Sequence, residues 1–352
     1  GVLTIFLALC EVMFGQGTNI TSTLRQQGIY FFAVSLRAGL ILGLLLLFRN
    51  DVTAPSALAI YGIASLLPFS IFSKEFRSAA LRDPANMRHL RAAFAFGWPY
   101  VFSQALRQCV ERGDRFIVAV TLGVAAAGQY AVAVDLCRRV IQGITINARL
   151  TYVRDAVEAY DTGNTAARSA ALIRISNSVG LVGISLAATL AVFGKGLIEP
   201  LLGSRFSDEA LAILPFCAVA FVLEAYKLYV HVLPFELARR AELDTLVAGI
   251  GVVVQIPLIL LMGSLWGLQG VALALVAAQA AMLFAAYSLS RREVGFAAPW
   301  VRATEAALAA AVMAAVTFKL FPHENLSWTH QLGMATIFGV ALTAVVAAIL
   351  FR

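Results

Sequence analysis

The sequence predicts an all-α fold, a polytopic transmembrane helix bundle of about eleven helices, and three observations carry that expectation. First, the 352 residues are 60% hydrophobic and only 13% charged, with a mean hydropathy of +0.82. A soluble domain is about 45–50% apolar and about 25% charged, so this chain must set most of its surface against lipid. Second, the apolar residues form continuous runs of about 20, the length of a helix crossing a hydrocarbon core of about 30 Å. A barrel would instead show alternating segments of about ten residues. Third, the basic residues between the runs concentrate in alternate loops.

The runs fall at 1–13, 29–48, 54–73, 92–122, 126–150, 170–194, 208–235, 243–264, 267–290, 299–321 and 330–351. The first, GVLTIFLAL, opens on Gly1 rather than Met, so the chain is expected to lack its start, and no signal peptide is read. The fourth run is long, and Pro99 and Gly113 are places where it would kink or break. The last two runs, rich in Ala and nearly free of charge, read as peripheral or lipid-facing.

The loops test this count. One set holds Arg25, Lys74, Arg77, Arg82, Arg88, Arg91, Arg149, Arg154, Arg168, Arg239, Arg240, Arg291, Arg292 and Arg352, fourteen basic residues. The alternate set holds three: Arg49, Lys195 and Arg205. A helix missed or invented in mid-chain would erase this asymmetry. The basic side is therefore cytoplasmic, the C-terminus is inside, and the first run passes from outside to inside. The net charge of +7 reflects such loops rather than a nucleic-acid surface. The outer loops are short, the longest at about 194–207. The largest cytoplasmic segment, 74–91, is basic and contains Pro84; it is the best boundary between two helical lobes.

An ionisable group near the bilayer midplane costs about 2.5–3.5 kcal/mol on insertion scales, so each one needs a reason. Arg37 falls near the middle of the second run. Helical geometry puts Tyr100, Ser103, Gln104, Arg107, Glu111 and Asp114 on one stripe of the fourth run, which also carries Arg112 and Arg115. The fifth run carries Asp135, Arg138, Arg139 and Gln142 on one face, and the seventh Glu224, Lys227 and His231 at spacings of three and four. Polar stripes of this kind face a bundle interior or a cavity. Interhelical ion pairs that fix packing would balance in charge, whereas these residues leave a small positive excess. A positive cavity suits an anionic ligand, and Arg suits phosphate because its fork binds oxygens bidentately and keeps its charge when buried. Tyr100 and Tyr130 lie where they would stack on sugars or anchor at the interface.

Other chemistry is absent from the pattern. Cys10, Cys109, Cys137 and Cys217 are scattered through apolar runs with no CxxC and no metal-ligand spacing, and read as small buried hydrophobes. No GxxxxGK[ST] occurs, so no nucleotide site and no metal or organic cofactor is expected; a coupling proton or sodium ion remains open.

The stretch 96–136, FGWPYVFSQALRQCVERGDRFIVAVTLGVAAAGQYAVAVDL, resembles the start of the C-terminal half of polysaccharide and O-antigen repeat-unit flippases. It carries Gly97 and Pro99, then Asp114 and Arg115, then Gly123, then Gly128 and Tyr130 in the order of that family. A second block is similar to the later family pattern: Arg239 and Arg240 at a turn, an apolar helix, then Trp266-Gly267-Leu268-Gln269-Gly270-Val271-Ala272-Leu273-Ala274. The resemblance implies the polysaccharide branch of the multidrug/oligosaccharidyl-lipid/polysaccharide exporter superfamily, transporters with twelve to fourteen helices in two six-helix lobes around a central cavity. It would make the first run the fourth helix of a fourteen-helix chain. Residues 1–73 would then be the last three helices of the N-terminal lobe, 74–91 the linker, 92–295 the C-terminal lobe and 296–352 two extra helices.

The function implied is flipping of undecaprenyl-pyrophosphate-linked oligosaccharide units, as for lipopolysaccharide O-antigen or exopolysaccharide, from the cytoplasmic to the outer leaflet of the bacterial inner membrane. Arg37, Arg107, Arg115, Arg138, Arg139 and Lys227, with Tyr100 and Tyr130, are the expected substrate contacts. Glu111, Asp114, Asp135 and Glu224 would set the net field or carry coupling protons. The expected partners are the lipid-linked oligosaccharide, membrane lipids and other glycan-assembly proteins, with no nucleic acid. Rival readings are an ion-coupled drug exporter of the same superfamily, a membrane glycan polymerase or glycosyltransferase, and a scaffold of a glycan-assembly complex. The drug exporter needs an acidic or apolar cavity, and the enzymes need a sizeable external loop with catalytic groups.

Overall fold

The structure, a computed structural model, describes residues 27–47, 56, 59–66, 106–202, 208–238, 240–296, 300–320 and 328–351. All regular structure among the described residues is helical. The chain divides into two compact units, Gly1–Phe94 and Ala95–Arg352. Among the described residues four helices are long and apolar enough to cross a membrane: Thr165–Gly194, Leu214–Leu237, Glu242–Arg292 and His330–Leu350.

In the first unit α1 spans Gln27–Leu47 and α2 covers residues 59–66. The expected helix at 1–13 and the linker at 74–91 lie outside the described residues.

The second unit begins with α3, described over residues 106–121, and α4, Val124–Asp161. The former runs helical through Gly113, so the break expected there does not occur. Gly123 turns the chain between them with φ +96°, a conformation that favours a residue without Cβ. Next come α5, Thr165–Leu202, and the short α6, Asp208–Ala212.

Both α4 and α5 run for 38 residues, or about 57 Å each. They outrun a hydrocarbon core of about 30 Å. The loop expected at 151–169 shrinks to Thr162–Asn164, where Gly163 has φ +68° and Asn164 Oδ1 accepts from the Ala167 N–H at 3.0 Å as an N-cap. The helices persist because Ala156, Ala171, Leu172 and Ile175 continue an apolar core past the membrane, while Arg154, Asp155 and Glu158 stay exposed on the other face. An average over the segment hides that stripe.

The seventh run is segmented rather than continuous. Leu214–Tyr226 forms α7, Lys227–His231 a π turn, and Leu233–Leu237 α8. Pro215 opens α7 and Pro234 opens α8, positions where a missing N–H costs least. Just before Pro234 the register widens, and the Val232 N–H bonds to the Lys227 carbonyl.

The eighth and ninth runs form α9, Ala241–Leu289, in two legs that meet without a loop at Trp266 and Gly267. Gly267 takes φ +58°, ψ −139°, open in practice only to glycine. Gly270 serves a different need: a Cβ there would collide with the Met262 carbonyl of the first leg. A second π turn, Ser290–Val294, follows.

The chain closes with α10, Trp300–Leu320, and α11, Trp328–Leu350. Both pack on α5, where Val192 and Phe193 meet Ala306, Ala310, Phe338 and Leu342. The Asn177 side chain donates to the Leu350 carbonyl at 2.9 Å, tying the end of α11 to α5. Cys137 and Cys217 are buried as expected, Cys109 is exposed, and Cys10 lies outside the described residues.

Candidate functional site

In the second unit the charged stripes of α3 and α4 converge on a cavity of about 540 Å³. Glu111, Arg112, Arg115, Asp135, Arg138, Arg139, Gln142 and Gly143 line it. Four arginines against two acids leave a formal surplus of two positive charges. A helix presents residues three and four apart on one side, so two stripes suffice to charge a whole wall.

The cations differ in how they are held. Arg115 pairs with Asp135 across the two helices at 2.5 Å. Arg138 lies 3.6 Å from the Glu111 carboxylate and 4.0 Å from that of Glu224 on α7, with its guanidinium 5.1 Å from the Phe221 ring centroid. Arg112 and Arg139 are exposed, and neither forms an ion pair among the described residues. The uncompensated charge of the cavity therefore sits on these two.

Behind the cavity lies a smaller polar pocket lined by Arg107, Glu111, Glu224, Lys227 and Asp244 together with Val110, Leu228, Val247, Ala248 and Met282. Arg107 donates to Asp244 on α9 at 2.5 Å. Lys227 is 5% exposed; its Nζ donates to Gln279 Oε1 at 3.1 Å and approaches Met282 Sδ at 3.6 Å. Glu224 is 1% exposed. Counting Arg138, which reaches Glu224 from the cavity side, three cations face three acids here. That is the balance of a structural network. Glu111 lines both spaces and joins them.

Of the residues expected to contact substrate, the structure brings Arg115, Arg138 and Arg139 into the cavity. Arg107 and Lys227 face the inner pocket instead. Tyr130, expected to stack on sugar, is fully buried and donates to Asp114 Oδ2 at 2.8 Å, so both belong to the core. Arg37 belongs to the first unit, with its guanidinium 4.8 Å from the centroid of the Tyr61 ring. Tyr100 lies outside the described residues. Among the acids, Glu111 and Asp135 line the cavity and Glu224 the inner pocket.

Sequence reasoning passed over Arg112 as a site residue, although its spacing of three from Arg115 marked a shared face. It also missed Asp244 and Gln279. Asp244 reads as the polar start of an apolar helix, and only packing shows that Arg107 reaches it. Among the described residues no group of three His, Cys, Asp or Glu side chains is placed to hold a metal ion.

The structure superposes on a lipid II flippase, MurJ, in an inward closed conformation, with a TM-score of 0.68 and 12% sequence identity. The match covers 97% of this chain and 71% of that one, and at this identity it is a likeness of fold. The chain belongs to the polysaccharide biosynthesis protein family, whose model matches residues 30–211. No protein of curated function matches the sequence.

Proposed function

We propose that the protein flips undecaprenyl-pyrophosphate-linked oligosaccharides from the cytoplasmic to the outer leaflet of the bacterial inner membrane. The observation that carries this reading is the pair Arg112 and Arg139, exposed in the cavity with no ion-pair partner among the described residues. A diphosphate dragged through an apolar layer loses its hydration, and fixed guanidinium groups offset part of that cost. Arg115 and Arg138, each already leaning on a carboxylate, tune the field rather than neutralise the ligand. The lipid tail would stay in the bilayer while the headgroup crosses by alternating access. Glu111, which joins cavity and inner pocket, is the acid best placed to carry a coupling proton. Membership of a polysaccharide biosynthesis family and a flippase-like fold support this assignment over an enzyme or a drug exporter.

The test uses the full-length protein in proteoliposomes without nucleotide. Transfer of a fluorescent polyprenyl-pyrophosphate oligosaccharide between leaflets is followed for wild type, Arg112→Ala and Arg139→Ala at equal folded amounts. A hydrogen bond to a charged group contributes about 1.5–3 kcal/mol, so each variant should lose roughly 10- to 100-fold in transfer. Transfer unaffected by both changes would remove the role given to these arginines. No transfer by wild type across a range of proton and sodium gradients would remove the flippase reading.

A further inference from the structure

A second recess on the same unit is chemically unlike the first. It is a groove of about 420 Å³ between α7 and the second leg of α9, lined by Leu223, Ala280, Leu283, Phe284 and Tyr287. No charged side chain lines it. Ala280, Phe284 and Tyr287 follow one another along one helix face, and Phe284 is 71% exposed. The small Ala280 leaves the floor open at the deep end.

What makes the groove more than a lipid-facing surface is its cytoplasmic end. Arg291 and Arg292 follow within about a turn of Tyr287, both exposed and without an ion pair among the described residues. The helix rises about 1.5 Å per residue, so Ala280 to Arg291 spans roughly 16 Å. That is about half of a 30 Å hydrocarbon core, the depth of one leaflet. The apolar groove, whose lining runs over about 10 Å from Ala280 to Tyr287, together with the two arginines a turn beyond it, has the polarity profile of a single anionic lipid.

We infer that this groove binds an anionic phospholipid of the cytoplasmic leaflet, with one acyl chain along Ala280, Phe284 and Tyr287 and its phosphodiester at Arg291 and Arg292. The site shares no residue with the arginine cavity. Glu224 and Gln279, next in sequence to Leu223 and Ala280, turn into the protein and are each 1% exposed. The tail of a lipid whose diphosphate sits on Arg112 and Arg139 would leave Arg291 and Arg292 without a ligand. The inference therefore goes beyond the transport reading and stands whatever crosses the cavity.

The test is native mass spectrometry of the full chain, delipidated in detergent and titrated with phosphatidylglycerol or phosphatidylcholine of equal chain length. Wild type should retain one phosphatidylglycerol in preference to phosphatidylcholine. Arg291→Gln with Arg292→Gln should weaken phosphatidylglycerol binding about thirtyfold and abolish the preference. Ala280→Trp, which closes the trough, should lose both lipids while unfolding at the wild-type temperature; Leu223→Trp closes it from the facing helix if Ala280→Trp does not fold. Equal retention of the two lipids by wild type, or an undiminished preference in the double Gln variant, would overturn the inference. So would displacement of phosphatidylglycerol by an equimolar polyprenyl diphosphate, which would make the groove a seat for a carrier lipid.

Discussion

Removing one partner of the Arg107–Asp244 pair isolates the energetics of the inner pocket. The pair joins α3 to α9 at 2.5 Å, with the two side chains 19% and 12% exposed. Asp244→Leu leaves the guanidinium in a pocket where three cations, counting Arg138, then face two acids, Glu111 and Glu224. Breaking a buried pair costs about 3–5 kcal/mol, and the residual exposure places this site at the lower end, about 3 kcal/mol. Arg107→Met should also destabilise, because Asp244 then loses its contact with Arg107 in the same pocket. The double variant Arg107→Met/Asp244→Leu removes both charges along with the cost of burying them. It should lie within about 1 kcal/mol of wild type. The assay is denaturant unfolding in detergent micelles, followed by tryptophan fluorescence and assembled into a double-mutant cycle. Singles within about 0.5 kcal/mol of wild type, or a double variant equal to the sum of the singles, would refute the pairing argument.

Three further outcomes follow from the packing. Gly270→Ala drives a Cβ into the Met262 carbonyl and should destabilise by about 1–3 kcal/mol, whereas Gly249→Ala, with nothing within 4 Å, should be neutral or gain up to about 1 kcal/mol; thermal unfolding of the two variants measures the contrast. Tyr130→Phe removes the donor to a buried Asp114 and should lower unfolding free energy by about 1–3 kcal/mol without the transport loss of Arg139→Ala. In a Cys10→Ser background a membrane-permeant maleimide should label Cys109 and spare Cys137 and Cys217 until the protein unfolds; rapid labelling of the buried pair would contradict the packing of α4 against α7.

How far the site was legible depends on the kind of evidence each residue leaves in the chain. The stripes on α3 and α4 were readable because a helix repeats its faces every three to four residues whatever surrounds it. Arg138 and Arg139 were thus placed on a polar face before any contact was known. Periodicity alone does not say which neighbour a stripe meets. Arg107 lies on the same stripe as Glu111, yet it reaches across to Asp244, more than a hundred positions on. Tyr130 carries the same ambiguity, since an aromatic beside a polar stripe can face the ligand or, as here, close over a buried carboxylate. The expected loop at 151–169 failed for another reason. Charge in that segment marks where the chain leaves the membrane, while helicity is set by the alanine stripe that continues beneath it.

Composition and run length by themselves determined that this is an all-α membrane chain, because a surface this apolar has no soluble solution and a lipid core admits only internally bonded backbone. The loop charges alone give it an expected orientation, because an excess of Arg and Lys on one side survives averaging over many loops. Only the tertiary structure decided which cations are spent on partners. Arg107, Arg115 and Arg138 find carboxylates on neighbouring helices, and Arg112 and Arg139 find none among the described residues. A charge's worth depends on what lies within a few ångströms of it through space, and that distance is not written in the order of the residues.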